Sequence, residues 1–562
     1  MNKNDIIEIA ITDMSDDGEG IGKTRDGATF FVKDAIVGDF VRAVVTKVMK
    51  NYSYAKMLEV LEASPDRVQP RCKVARACGG CQFQELDYAC QLRLKREKVI
   101  RKLRHIGHIY AYDDASQDIP EDAKHPVYVP PTIGMDDPWR YRNKTQLPIG
   151  YDREKKLVAG FYAGRTHAII AHEDCLLADA GNAEIARIVL SHMERYRISA
   201  YDENSHTGLV RHLLIRKGYS TGQWMVCIII NGRVKDLVHA DELVAALMEQ
   251  PGMTSISVNI NTKNTNVILG EETILLAGTP YIEDTIGKLK FRIGPHSFFQ
   301  VNPVQTEKLY GCALDFAGLT GNEVVWDLYC GIGTISLFLA QKAKKVYGVE
   351  IVPQAIENAK DNALLNSLLN AEFMVGSAED VAPLLQKRPE AAPDVVVVDP
   401  PRKGCDGKLL ETMLAMAPQR IVYVSCDPAT LARDLAILLE SGAYRLEKVQ
   451  PVDMFPMAGH VETVCLLSQR KPDTTIEVDL DISELEVSSA ETKATYEEIK
   501  SYVLEKYGLK VSNLYIAQVK RECGIVERIN YNLPKTEGNR VPQCPEDKRK
   551  AIKDAFVHFQ MI

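Results

Sequence analysis

Several stretches of this sequence carry residues whose types and spacing suit covalent chemistry. Arg420-Ile-Val-Tyr-Val-Ser425 is an apolar, β-branched run that reads as a buried strand delivering Cys426 to its end. Asp427-Pro428 follows, an acid suited to cap a helix and a proline suited to its first position. A thiol placed there meets the partial positive charge of a helix N-terminus, which favours the nucleophilic thiolate. In Asp394-Val-Val-Val-Val-Asp399-Pro-Pro-Arg402, Pro400 and Pro401 cannot continue a ladder, so Asp399 stands where the strand leaves its sheet. Asp453-Met-Phe-Pro-Met-Ala-Gly-His460-Val-Glu462 is a Pro/Gly loop entering a strand, with Glu462 near the start as a candidate proton acceptor. Plainer readings compete: Cys426 as a buried core thiol and Glu462 as a solvated strand residue. Cys405, in Arg402-Lys-Gly-Cys, is a rival nucleophile.

A ligand loop precedes these stretches. Val324-Val-Trp-Asp-Leu reads as a buried strand running into Tyr329-Cys-Gly-Ile-Gly-Thr334 and then the apolar helix Ile335–Ala340. Glycines at a strand-to-helix turn admit a ligand close to the backbone. The next strand, Lys345-Val-Tyr-Gly-Val, ends in Glu350, placed to bind ribose hydroxyls. A dinucleotide turn wants a third glycine or alanine where Ser336 stands, and Asp327 would repel a pyrophosphate. Asp327 could instead hold a cationic amino-acid group, which favours S-adenosylmethionine. An ordinary glycine turn is the plain alternative.

A separate group is Cys72-x5-Cys78-Gly-Gly-Cys81, spaced to wrap a metal centre. Cys175 is the distant candidate for a fourth ligand, and Cys90 the nearer, helical one. Four thiolates suit zinc or an iron–sulfur cluster, and spacing does not separate the two.

These residues need a large, multidomain scaffold. The chain has 562 residues, 46% hydrophobic and 26% charged, with no apolar run long enough for a membrane span. The N-terminus lacks the apolar core of a signal peptide, so the expected location is cytoplasmic. Its 13 cysteines are accordingly not a disulfide framework. The net charge of −8 gathers in one place: seven acids and no base lie between Pro472 and Thr492. The remainder, with basic clusters at Arg140–Lys144 and Arg93–Arg104, does not exclude a polyanionic partner. Alternation over residues 1–62 predicts a small β-barrel. Residues 63–295 read as a β-rich central domain holding the cysteine cluster, with a helix over 86–107 that packs on the next domain. Residues 296–470 alternate strands with helices, as in a parallel α/β sheet. An acidic linker or strand over 471–493 then leads to a small helical domain at 494–562.

Taken in order, Phe298-Phe-Gln-Val-Asn302, Asp327–Thr334, Asp399-Pro-Pro-Arg402, Ser425-Cys-Asp-Pro-Ala-Thr-Leu-Ala-Arg433 and Gly459-His-Val-Glu462 resemble the motifs of the bacterial RNA uracil-5-methyltransferases, over roughly residues 1–468. The resemblance implies a Rossmann-like methyltransferase domain with an N-terminal TRAM barrel of OB-like shape. It implies Cys426 as nucleophile and Glu462 as base, with Gln300, Tyr329, Glu350 and Asp399 holding S-adenosylmethionine. Thr334 stands where some members have asparagine. It further implies a [4Fe–4S] cluster on Cys72, Cys78, Cys81 and Cys175. The implied substrate is a uridine of 23S ribosomal RNA, not DNA, and the enzyme is expected to be a monomer. The barrel and cysteine cluster favour ribosomal RNA, because the transfer-RNA relatives typically lack both. Alternatives are the T-loop uridine of transfer RNA, a cytosine-5 RNA methyltransferase and a non-catalytic RNA-binding protein. Trp139, Arg140, Tyr141, Arg142 and Lys144 mix aromatic and basic groups as RNA contacts do. Lys510, Lys520, Arg521 and Arg528 suggest further RNA contact by the C-terminal domain, which resembles a module appended to such enzymes in some Gram-positive bacteria.

Overall fold

A computed structural model describes residues 2–164, 166–470, 494–523, 544–559 and 561. The chain divides into two compact units, Met1–Lys471 and Pro472–Ile562. The acidic stretch expected as a linker or strand, and Arg528, lie outside the described residues.

The first unit opens with a closed barrel of β1 (Ile6–Met14), β2 (Gly20–Lys23), β3 (Thr29–Lys33), β4 (Phe40–Val48) and β5 (Ser53–Glu62), in the order β1-β2-β3-β5-β4. Strand alternation explains it. Ile7, Ile9 and Ile11 turn inward onto Phe30, Val32, Val41 and Val45, while Glu8 and Arg42 pair outside.

Helix α1 (Tyr88–His105), capped by the Asp87 side chain, buries Val99, Ile100 and Leu103 in the core of the C-terminal α/β layer. Each such side chain contributes roughly 1.5–3 kcal/mol by leaving water. Its cations are internal ties. Arg101 pairs with Asp13 and Lys98 with Asp16 of the barrel, Arg93 with Asp66, and Arg96 and Arg104 donate to carbonyls of Val129 and Ala111. Lys95, 1% exposed, is paired at 2.5 Å with the fully buried Asp453. Removing one partner of such a pair costs about 3–5 kcal/mol.

After the short pair β6 (Ala111–Tyr112) and β7 (Val127–Tyr128) comes a seven-stranded sheet. It comprises β8 (Lys144–Tyr151), β9 (Leu157–Tyr162), β10 (Ile169–Ala171), β11 (Val210–Lys217), β12 (Trp224–Ile230), β13 (Met253–Ile260) and β14 (Glu272–Gly278), in the order β10-β9-β8-β11-β12-β13-β14. Helices α2 (Gly181–Arg195) and α3 (Ala240–Met248) share its core. The hairpin of β15 (Ile282–Ile286) and β16 (Leu289–Ile293) departs from the expected boundary near residue 295. Ile282, Phe291 and Ile293 are buried with Leu309, Tyr310 and Val325, so the hairpin belongs to the α/β layer.

That layer holds α4 (Pro303–Ala317) and a sheet ordered β19-β18-β17-β20-β21-β23-β22. Strands β17 (Val324–Leu328), β18 (Lys345–Glu350), β19 (Ala371–Val375), β20 (Val395–Val398) and β21 (Arg420–Ser425) are parallel. Strand β23 (Glu462–Gln469) runs antiparallel to both β21 and β22 (Tyr444–Val452). Helices α5 (Thr334–Ala340), α6 (Pro353–Leu365), α7 (Ala378–Leu385), α8 (Gly407–Met416) and α9 (Pro428–Glu440) connect the strands. This is the doubly wound α/β architecture that the alternation predicts, with an antiparallel pair at one edge.

The second unit packs α10 (Tyr496–Tyr507), α11 (Asn513–Glu522) and α12 (Glu546–His558) around Ile499, Val503, Ile516, Val519, Ile552 and Phe556. Among the described residues no helix is long and apolar enough to cross a membrane.

Candidate active site

In an open parallel sheet the carboxyl ends of the strands share one edge, where ligands bind. Tyr329 and Gly331 follow β17, Glu350 closes β18, Asp399 follows β20 and Cys426 follows β21. The antiparallel β23 brings its first residue, Glu462, to the same edge, since Ser425 pairs with Thr463. All of them, with Gln300 and Thr334, line one cavity of about 690 Å³. Phe298, Tyr310, Arg402, Phe455 and His460 are also among its walls. Phe298 stands out there as a large aromatic side chain left 67% exposed. The sequence motifs contain Phe298, Arg402 and His460, but nothing in their spacing separates a wall residue from a scaffold residue.

Backbone geometry shapes the loop. Tyr329, Gly331 and Gly333 all have positive φ (83°, 55° and 82°), which for a tyrosine is a strained left-handed conformation. It is held because the Tyr329 and Cys330 amides both donate to the Val349 carbonyl. The Glu350 carboxylate accepts from the amides of Gly331 (3.2 Å) and Val352 (3.0 Å), which fixes it at the rim. Thr334 Oγ1 and the Tyr310 hydroxyl are 2.9 Å apart. Gln300 is held through its carbonyl, which accepts from Asn143 Nδ2 at 3.0 Å.

Two sequence expectations change here. Asp327 does not face the cavity; it is fully buried behind the loop, bonded to the Ser336 hydroxyl, and burial pushes its carboxyl up to about 7. Nor is Cys426 a ready thiolate. Asp427, itself an anion, caps the Ala429 and Thr430 amides of α9 and offsets the helix terminus. Burial, then Glu462 and Asp399, push the Cys426 thiol up to about 12, against the opposing pull of Arg402. The two acids are raised as well: Glu462 to about 8 by burial and Asp399, and Asp399 to about 7 by burial and Asp327. Two acids and a thiol held toward their protonated forms by burial and by one another gain from a positively charged guest. Cys405 lies elsewhere. It is 5% exposed, absent from the cavity walls, and its amide donates to Asp434.

The loop carrying Phe455 and His460 is tied down from several sides. Asp453 receives Lys95 and the Tyr88 hydroxyl, the Met457 carbonyl accepts from the amides of Gln82 and Phe83, and Gly459 accepts from Lys98.

Cys72, Cys78, Cys81 and Cys175 line a second cavity, of about 330 Å³, whereas Cys90 is fully buried beside Arg93 and outside it. No group of three or more His, Cys, Asp or Glu among the described residues is gathered to hold a single metal ion. The surroundings are cationic. Arg142 and Lys144 line the cavity, and burial with the neighbouring Arg216 and Arg142 brings Lys144 down to about 7. Buried His172 Nε2, also at this cavity, has no partner among the described residues. Arg142, Lys144 and the His172 ring thus stand around four thiols.

Of the Trp139–Lys144 stretch, expected to meet RNA, Arg142 and Lys144 line this cavity. Arg140 is paired with Asp174 and donates to the Cys175 and Ala178 carbonyls, and buried Tyr141 donates to the Pro456 carbonyl. Trp139, with the Arg71 guanidinium over its ring at 5.0 Å, keeps an aromatic–cation pair in reach of solvent.

Comparison with known proteins agrees with the site's geometry. Residues 219–470 match the family described as tRNA (Uracil-5-)-methyltransferase, and residues 2–58 match the TRAM domain. An uncharacterized RNA methyltransferase of Halalkalibacterium halodurans is 49% identical over 83% of this chain and 98% of its own length. One from Clostridium acetobutylicum is also 49% identical, over 84% and 98%. Among solved structures, the Pyrococcus abyssi tRNA (uracil-54, C5)-methyltransferase in complex with S-adenosyl-L-homocysteine superposes with a TM-score of 0.62 at 26% identity, covering 82% of this chain and all of that one.

Proposed function

Because this chain belongs to the RNA uracil-5-methyltransferase family, we propose that it methylates carbon 5 of a uridine in 23S ribosomal RNA, acting as a monomer in the cytoplasm. The observation that carries this reading is the single cavity onto which Cys426, Asp399, Glu462 and the Glu350 rim all open. Gln300, Tyr329, Thr334, Glu350 and Asp399 would hold S-adenosylmethionine, which would supply an electrophilic methyl group there. The Cys426 thiolate adds to carbon 6 of the uracil and pushes an electron pair onto carbon 5, which attacks the methyl carbon and releases S-adenosylhomocysteine. Glu462 then takes the carbon 5 proton; the freed pair rebuilds the C5–C6 double bond and expels the thiolate.

The raised Cys426 pKa makes the charge of the cofactor part of the mechanism. S-adenosylmethionine carries one more positive charge than its thioether product, and in a buried site that charge favours thiolate and carboxylate. Alkylation of Cys426 by iodoacetamide, followed by peptide mapping, is expected to show a lower pH midpoint with S-adenosylmethionine bound than with S-adenosylhomocysteine. Equal midpoints would separate thiol activation from the cofactor's charge.

We also propose that Cys72, Cys78, Cys81 and Cys175 hold a [4Fe–4S] cluster. The Arg142 guanidinium on the wall of the four-thiol cavity supports an anionic occupant, and four thiolates suit an iron–sulfur cluster. Anaerobically purified protein is expected to carry about four iron atoms per chain and a brown absorbance, both lost in Cys175→Ser. Stoichiometric zinc without iron would refute this assignment.

One observation favours a second substrate. The Pyrococcus enzyme, named for a transfer-RNA uridine, covers 82% of this chain with a TM-score of 0.62, which supports a transfer-RNA uridine as the alternative target. Mapping 5-methyluridine in both RNAs from a strain lacking this protein separates the two. Loss of a 23S site supports the proposal, and loss of a transfer-RNA site alone replaces it.

A further inference from the structure

A third cavity, of about 510 Å³, opens on the central sheet, lined by residues of β8, β9 and β11 and of the turn after Tyr201. Its walls offer flat faces. The Tyr162 and His167 rings stack with centroids 5.0 Å apart and 28° between planes, and the Arg211 guanidinium covers Tyr201 at 4.4 Å. Two of its lining residues carry polar atoms without partners among the described residues. His212, 7% exposed, has a buried Nδ1 with no partner among the described residues, and Arg211, 5% exposed, has an Nε in the same condition. Two carbonyls, of Asn261 and Lys263, hold the Arg211 Nη1 at 2.8 Å each, so that side chain is rigid. Burial and the adjacent Arg211 depress His212 to about 4, leaving a neutral ring with one donor and one acceptor nitrogen.

Charge narrows the class of guest. Asp202 and Glu203 stand at the rim, where Glu203 accepts from the Tyr162 hydroxyl at 3.1 Å and pairs with His167. Carboxylates there repel a phosphate but accept N–H donors. A flat π-face with donors and acceptors along one edge describes a nucleobase. We propose that this pocket holds an unpaired nucleobase of the RNA substrate, a second base beside the uridine presented to Cys426. The proposal rests on the substrate being RNA, and applies to whichever RNA is methylated.

The test uses the full chain, the RNA it methylates, and the variants Tyr201→Ala, Tyr201→Phe and Glu203→Gln, whose positions lie at or beside a solvent-exposed turn. Loss of a stacked base weakens RNA binding by about tenfold. Tyr201→Ala is therefore expected to raise the RNA Kd and KM by about that factor, with kcat and the S-adenosylmethionine Kd unchanged. Tyr201→Phe, which keeps the ring, restores binding, and Glu203→Gln falls between. Abasic scanning of the RNA is expected to find one position, other than the methylated uridine, whose loss weakens the wild type by about tenfold and Tyr201→Ala no further. RNA affinity equal to wild type in all variants, or abasic losses additive with Tyr201→Ala at every position, would overturn the pocket. So would a free nucleoside that occupies the pocket without competing with RNA. Absence of methylation on every RNA tried would strike the substrate reading and leave this result separate.

Discussion

Cys426→Ala is expected to lose methyl transfer by on the order of 10⁴-fold or more, while binding S-adenosylmethionine as the wild type does. The size follows from what the thiolate does. Carbon 5 of uracil is a poor nucleophile, and without addition at carbon 6 no other group on the cavity wall can raise its electron density. A loss of 10⁴ corresponds to about 5.4 kcal/mol of transition-state stabilisation, a plausible share for one covalent step. Cofactor affinity stays because Glu350, Gln300 and the glycine loop hold their positions through backbone contacts that do not involve Cys426. Cys405→Ala is the matched control. Its thiol is buried away from the cavity and pushed up to about 12, with Tyr423 and Asp434 beside it, so turnover should survive wherever the protein folds. Single-turnover assays on both variants, each checked by circular dichroism, measure the contrast.

Glu462→Gln should fail at a later step. Glutamine keeps the shape of a side chain that is 4% exposed but accepts no proton. Methyl transfer can then occur once, after which the adduct has no base to release it. Removal of a positioned base costs on the order of 10²–10⁴-fold. The expected observation is a stable, methylated protein–RNA complex, resolved on a denaturing gel, in amounts stoichiometric with enzyme. The wild type should show the matching pH dependence. A carboxyl raised to about 8 is protonated below that pH and cannot accept, so adduct breakdown should rise with pH and level off as Glu462 ionises. Normal turnover by Glu462→Gln would remove this residue from the mechanism.

Much of the site was legible because local residues stop the strands where chemistry is needed. Pro400 and Pro401 end β20 at Asp399, and Asp427-Pro428 turn β21 into α9 at Cys426, so both positions follow from short-range rules. What escaped sequence reading depends on partners far along the chain. Lys95 and Asp453 lie 358 residues apart and meet in the core, and no local pattern marks them. Composition shows the charge of Arg140 and Lys144 without showing that Asp174 pairs with the one and that the thiol cavity takes in the other. The Cys426 thiolate was expected from the helix dipole, a local effect, but burial, and then the carboxyls of Glu462 and Asp399 at the ends of β23 and β20, push the thiol the other way. The direction of β23 matters most here. Read as a parallel strand, it would place Glu462 at the opposite edge of the sheet.

The claim at the centre of this account is that Cys426 bonds to carbon 6 of the target uridine. RNA carrying 5-fluorouridine tests it directly, because the fluorine cannot leave as a proton does and the adduct stalls after methyl transfer. Peptide mapping by mass spectrometry of the complex formed with S-adenosylmethionine should find methylated fluorouridine on the peptide containing Cys426, and no complex with Cys426→Ala. A complex that survives Cys426→Ala and is lost in Cys405→Ala would contradict the account and move the nucleophile.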